Sequence, residues 1–251
     1  MKKLLLQSAL LAAGFLLLAG CTNVATFDYS AAAEPMVSFA GPPEAKSIAV
    51  LPFLDQRSRK SLQQLAPAAD SGSFYLGLLP LMPYGYVKKP FPERSDDFVS
   101  LGRFHFNPSL DLAEASVLSL KASRLFGRVE LADSAGRTDA EYLWRGSVNN
   151  TFYSGAMLTY CISYFLSPAL WAVGAPEGVS RNALGVSFEL VERATGRIVW
   201  RYDYDGEVYI VHWIYARIGK DVSLYADLMR QALNLALSDL APRLPELQRS
   251  R

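Results

Sequence analysis

The segment from Leu184 to Tyr204 constrains this chain more than any other. Leu184, Val186, Phe188 and Leu190 alternate with Gly185, Ser187 and Glu189, and Ala194-Thr195-Gly196 supplies a turn. Ile198, Trp200, Tyr202 and Tyr204 repeat the alternation on the way back, while Asp203, Asp205 and Glu207 point the other way. A period of two on both arms predicts an antiparallel hairpin with one apolar face and one wet face. The apolar face needs a cover, and the chain provides one between about Asp221 and Leu240. At about 100° per residue, Leu224, Tyr225, Leu228, Met229, Ala232, Leu235, Ala236 and Leu240 share one half of a helical wheel. Asp227, Arg230, Gln231, Asn234 and Ser238 hold the other half. Pro242 is expected to stop this helix, leaving Pro245 to Arg251 as a frayed tail.

The elements upstream extend the same plan. Ile48-Ala49-Val50-Leu51-Pro52-Phe53 is a continuous apolar run, the pattern of a strand buried on both faces. Asn107 as N-cap and Pro108 at the first helical position open a helix predicted to run to about Leu125. Its buried side is expected to carry Leu110, Ala113, Val117 and Leu120. Glu141 to Tyr153 alternates again, with Tyr142, Trp144, Gly146, Val148 and Phe152 on one side and Arg145, Ser147, Asn149 and Thr151 on the other. The order strand, insert, helix, strand, insert, strand, strand, helix predicts an α+β fold: a mixed β-sheet with helices packed on one face, interrupted by two apolar inserts. Apolar residues make up 51% of the chain, enough for a sizeable core.

Residues 1–20 are expected to be removed. Met1-Lys2-Lys3 is a short positive head, and Leu4 to Ala19 is an apolar run too short to span a bilayer, the pattern of a signal peptide. Its end, Leu18-Ala19-Gly20-Cys21, resembles the lipobox of bacterial lipoproteins. That resemblance implies cleavage before Cys21 and acylation of its thiol and new amino group. Thr22 after the acylated position, where the resemblance makes Asp the exception, implies the periplasmic face of the outer membrane. Residues 21–46 then read as lipid anchor and flexible tether, and 47–245 as a single α+β domain. The domain resembles a group of periplasmic lipoproteins that includes the curli-secretion-channel family, the penicillin-binding-protein activators and the auxiliary lipoproteins of ABC-type transport. The likeness rests on the Ile48–Phe53 strand, Phe126-Gly127-Arg128-Val129, Tyr142-Leu143-Trp144-Arg145-Gly146 and Thr195-Gly196-Arg197-Ile198-Val199-Trp200. The two apolar inserts depart from the group's usual pattern.

Catalytic patterns are missing from the sequence. His105 and His212 each stand alone among apolar neighbours, and no His pair at helical spacing, Gly-x-Ser-x-Gly or phosphate-binding glycine loop occurs. With Cys21 lipidated, Cys161 has no partner for a disulfide and reads as a small buried hydrophobe. The net charge is +1, and loss of Lys2 and Lys3 leaves the chain within one charge of neutral, so nucleic acid is not an expected partner. No cofactor or metal is expected. The expected function is that of a non-enzymatic accessory or assembly factor in an envelope export or transport machine. A regulator of peptidoglycan synthesis and an envelope hydrolase with an unrecognised site are the alternatives. Expected partners are the membrane, through lipid on Cys21, and an envelope protein or a second copy of the chain.

The inserts carry the candidate contact surface. Phe74 to Tyr86 is uncharged and aromatic, and from Ser147 to Pro176 no charged side chain occurs. Ala156 to Ala175 reads as a bent helical hairpin around Pro168, with Thr159, Ser163 and Ser167 as a small polar stripe. If the Ile48 and Tyr142 strands are parallel, both inserts leave the same end of the sheet. Tyr75, Leu79, Met82, Tyr84 and Tyr86 would then lie beside Leu158, Ile162, Phe165 and Trp171 as one platform facing a lipid surface or a partner. The bland alternative is that the inserts complete the core.

Overall fold

A computed structural model describes residues 24–27, 29, 44–57, 86–89, 94–95, 103–158, 160, 167–215 and 224–249. In chain order its elements are β1 (Val24–Thr26), β2 (Glu44–Val50), β3 (Leu54–Asp55), β4 (Tyr86–Lys89), β5 (Arg94–Ser95) and β6 (Arg103–His105). Then come α1 (Pro108–Ser123), β7 (Phe126–Leu131), a 3-10 turn at Ala135–Arg137, β8 (Tyr142–Met157), α2 (Ser167–Ala172), β9 (Gly178–Glu192), β10 (Ile198–His212) and α3 (Leu224–Arg249). The fold is α+β. Its main sheet runs β10-β9-β8-β2-β7, with β3 and β4 continuing along the edge of β8 where β2 leaves off. β2 is parallel to both β7 and β8, and β9 is antiparallel to its neighbours β8 and β10, so the sheet is mixed.

Both long helices pack on one face. Ile48, Val50, Tyr142, Trp144, Val148, Leu184, Val186, Phe188 and Leu190 meet Leu112, Leu120, Tyr225, Met229, Leu233 and Leu240 in one core. A smaller cluster of Ala49, Ala132, Ala140, Leu143 and Val191 sits on the opposite face. Alternation of side chains along β2, β8 and β9 produces that division. An aromatic column crosses the helix-side core, with ring centroids 5.3 Å apart for Trp144 and Phe188 and 5.6 Å apart for Trp144 and Trp200. Phe53 stands edge-on to Phe188 and lies directly over Gly146, whose missing side chain makes room for the ring.

Three polar contacts fix the direction of α3 along the sheet. The Tyr225 hydroxyl donates to the Phe152 carbonyl at 2.7 Å, Tyr204 donates to Gln231 at 3.0 Å, and Trp200 Nε1 donates to Asp239 at 2.9 Å. The helix therefore starts at the end of the sheet where β8 finishes and runs back toward the end where β8 begins.

Four expectations are corrected. α1 starts where expected, with the Asn107 amide donating to the Asp111 carboxylate at 2.7 Å and Arg124 ending the helix at φ 58°. Leu110, however, is exposed, and Leu112 is buried with Ser116, Ser119 and Ser123. These small serines let α1 approach its neighbours closely, and the Ser116 and Ser123 hydroxyls donate to carbonyls of the helix itself. In β8 an extra residue at Asn149 lies between the Val148–Val186 and Asn150–Gly185 pairs. Such a bulge reverses the inside–outside parity downstream. Thr151 and Tyr153 are therefore buried and Phe152 is only half-buried. α3 continues through Pro242 and Pro245 because both prolines are on its exposed side while Leu240 and Leu244 stay buried. On the same helix Leu235 is exposed, while Leu233, Leu237 and Arg230 are buried.

The fourth correction concerns the tether. β1 pairs in parallel with β6 in a small three-stranded sheet completed by β5. Phe27 stacks on Phe106 at 5.2 Å, and Phe106 stacks on Tyr225 at 5.3 Å. Tyr29 is buried against α1 and α3, its hydroxyl 2.5 Å from Ser119 Oγ and its ring under the Arg230 guanidinium. Residues 24–27 and Tyr29 thus belong to a strap docked on the helical layer, because aromatic rings at Phe27 and Tyr29 gain more by burial than a free tether would.

Candidate functional site

The two inserts do meet at one end of the sheet. β2 and β8 are parallel, with Ile48 opposite Tyr142 and Val50 opposite Trp144. Past β2 the chain follows β8 as β3, Leu54 opposite Ser147, and Gln56 donates its amide to the Val148 carbonyl. The first insert returns as β4, antiparallel to β8, which places Tyr86 opposite Ala156. The second insert leaves β8 at Met157 and enters β9 at Gly178, the residue paired with it. The first insert therefore leaves beside the middle of β8 and returns at its end, where the second insert also starts and finishes.

The expected surface residues fare differently. Tyr75, Leu79, Met82, Tyr84, Ile162 and Phe165 lie outside the described residues, as do Cys21 and Cys161. The backbone of Tyr86 sits at the insert end. Leu158 is half-buried, its amide donating to the Glu177 carbonyl at 2.8 Å. Its own carbonyl accepts from Trp171 Nε1 at 2.9 Å, and Trp171 is only 9% exposed. Trp171 is thus a brace that holds the insert's two ends together. Ala156 and Met157 belong to β8, and Ser167 and Pro168 open the six-residue α2. The described part of the second insert is a strand extension and one short helix in place of a helical hairpin. The sheet ladder claims residues that hydropathy alone assigns to a helix. Among the described residues no helix is long and apolar enough to cross a membrane.

Around this brace lies a set of exposed apolar and aromatic side chains. Val173 is 82% exposed, Tyr215 72% and Tyr209 65%, and Tyr160 and Val179 are also exposed. Tyr215 donates to the Ala172 carbonyl at 2.8 Å and Tyr160 to the Pro176 carbonyl at 2.6 Å, so their hydroxyls fasten the loop while their rings face out. Gly174 takes φ +100° in the turn after α2, a conformation open to glycine. Tyr209 lies over the Arg181 guanidinium at 5.4 Å. Sequence reading passed over Tyr209 and Tyr215, although Val208 to Tyr215 holds no acidic or basic residue apart from His212.

Ionisable groups at this end serve the scaffold. His212 is buried with Nε2 2.8 Å from Ser180 Oγ. Arg181 donates to Glu207, holding its carboxyl below the ordinary range, as Arg201 does for Asp203 toward the far end of β10. The Arg181–Glu207 pair helps line a shallow cleft of about 230 Å³ with Asn150, Phe152 and Asp205. No group of three potential metal ligands occurs among the described residues.

Arg57 closes the entrance to the first insert. Its side chain is 5% exposed and donates to both Asp55 carboxylate oxygens at 2.9 and 2.7 Å and to Thr151 Oγ1 at 2.7 Å. Those hydrogen bonds push the Asp55 pKa down. Stability from this pair is complete above the unfolded carboxylate pKa of about 4 and is lost as pH falls through the lower folded value. Asp55→Asn is expected to cost about 1–2 kcal/mol near neutrality, moderated by the half-exposed position of Asp55. Urea unfolding should show that difference shrinking as pH falls toward about 3. A gap that stays constant with pH would rule out the charge as its source.

No protein-family model matches the chain, and no curated protein is detectably similar to it. Among solved structures it is similar to the Xanthomonas campestris protein XCC0632 of DUF330, at 10% identity and TM-score 0.42, over 91% of this chain and 98% of that one. It is also similar to PelC of Paraburkholderia phytofirmans, crystallised as a dodecamer, at 13% identity and TM-score 0.37, over 80% and 93%. A neuraminyllactose-binding hemagglutinin homologue from Helicobacter pylori matches at 11% identity and TM-score 0.37, over 87% and 90%. At such low identity and superposition, what those proteins do does not transfer to this chain.

Proposed function

We propose that this chain is a lipid-anchored protein of the cell envelope, acylated at Cys21 and held at the periplasmic face of the outer membrane. It acts through contact, without catalysis, as an accessory or assembly factor of an export or transport machine. The observation that carries the reading is that the return of the first insert at Tyr86 and both ends of the second meet at the end of β8, near exposed Tyr160, Val173, Tyr209 and Tyr215. A monomer seldom leaves such groups grouped and open to water unless something covers them. The lipobox-like Leu18-Ala19-Gly20-Cys21 supplies the location. The engagement of His212 with Ser180 and of Glu207 with Arg181 in scaffold contacts also favours a contact role.

Anchoring is tested at Cys21. One acyl chain binds membranes marginally, whereas two or more hold firmly, at about 0.8 kcal/mol per buried methylene. Cys21→Ser is expected to accumulate as precursor or unacylated chain and to leave the outer-membrane fraction. Incorporation of labelled palmitate into the Cys21→Ser protein would show that the lipid is attached elsewhere or that the leader is of another kind.

A further inference from the structure

We propose that the insert end of the sheet is the face this protein lays against the lipid bilayer, and that the docked strap sets this orientation. The inference rests on acylation at Cys21 as proposed above, and adds to it which surface meets the lipid. The argument starts from chain direction. α3 begins at the insert end, where Tyr225 bonds the Phe152 carbonyl, and Asp239 reaches Trp200 near the opposite end. The strap follows α3 in the same sense. Phe27 stacks on Phe106, just before α1 starts beside Phe53, whereas Tyr29 meets Ser119 in the later half of α1, which runs on toward Phe126 opposite Glu44 at the far end of the sheet. Followed backward, from Tyr29 to Phe27 to Val24, the strap therefore climbs toward the insert end. From Val24 to Cys21 the chain can reach no more than about 10 Å. A lipid on Cys21 is then tied, by no more than that length, to the end of the strap nearer the inserts, which favours that end of the body facing the lipid.

The chemistry of that end suits a bilayer interface. Tyr160, Tyr209 and Tyr215 present amphipathic rings of the kind enriched at headgroup depth, and Val173 projects from the turn after α2. With the anchor tied by a short stretch of chain to the end of the strap nearer this surface, this is the surface carried toward lipid. Leu131 and Ile198, exposed at the opposite end, are removed from it by about 40 Å of strand.

The test uses the full acylated chain with Cys161→Ala in phosphatidylethanolamine/phosphatidylglycerol vesicles. A fluorophore is attached at Val173→Cys, Tyr209→Cys, Leu131→Cys or Ile198→Cys, and quenching by shallow spin-labelled lipid is measured. Quenching at 173 and 209 should exceed that at 131 and 198 about threefold or more, because the far positions lie beyond the bilayer interface. Tyr29→Ser, which frees the strap, should leave acylation intact and reduce that contrast. Equal quenching at both ends, or stronger quenching at 131 and 198, with acyl mass confirmed on Cys21, overturns the orientation and leaves the lipidation reading standing. A chain without acyl mass on Cys21 removes both. An undiminished contrast in Tyr29→Ser would show that the strap does not set the orientation. Protection of 173 and 209 from a water-soluble quencher without lipid quenching assigns the surface to a protein partner and overturns the proposal.

Discussion

Gly146→Ala is expected to destabilise the protein by about 3 kcal/mol, a large effect for one added methyl group. A Cβ at this position clashes with ring atoms of Phe53, which is 2% exposed, stands edge-on to Phe188 and follows the end of β2. The ring cannot slide aside without opening the core beneath it, so the variant carries overpacking strain and loses part of Phe53's burial. Phe53→Leu alone should cost about 1–2 kcal/mol, whereas Gly146→Ala in that background should cost much less than in the parent. Urea unfolding of the four proteins gives the coupling directly. Strict additivity, or a loss below about 1 kcal/mol for Gly146→Ala, would mean that Phe53 does not rest on Gly146.

Trp144→Ala should be as damaging, at about 3–5 kcal/mol, because this fully buried ring joins Phe188 to Trp200 in the aromatic column. Trp144→Phe is a different matter. Trp144 Nε1 is buried without a hydrogen-bond partner, so the indole carries a desolvation penalty that phenylalanine lacks. Relief of that penalty offsets part of the lost contact area, and the expected cost falls to about 1–2 kcal/mol. Thermal and urea unfolding of the two variants side by side test this. Equal losses for Ala and Phe would show that the indole nitrogen is satisfied in solution.

Much of the sheet was legible because its signal is local. Alternation in Leu184–Leu190 and Ile198–Tyr204 is written into neighbouring residues, and period two admits one inward set per strand. The same rule misplaced Thr151 and Phe152, since a single extra residue at Asn149 reverses parity and nothing nearby in the chain announces it. Wheel arithmetic found both long helices and misassigned Leu110 and Leu235. Which residues a helix buries depends on where its neighbours sit, and only α1, α3 and the strap together decide that. At the insert end, the uncharged stretches were visible as composition, whereas Trp171's inward position and the outward rings of Tyr209 and Tyr215 were not.

By itself the sequence determined the alternating hairpin, the covering helix and hence an α+β sheet with one face buried, all properties of short windows read with local periodicities. The tertiary structure alone decided that Tyr86 and both ends of the second insert meet at the end of β8, that Phe53 needs Gly146, and that Phe27 and Tyr29 lie docked along the helices. Each of these joins residues tens of positions apart. Such pairings are set by which surfaces exclude water from one another, and no local pattern encodes them.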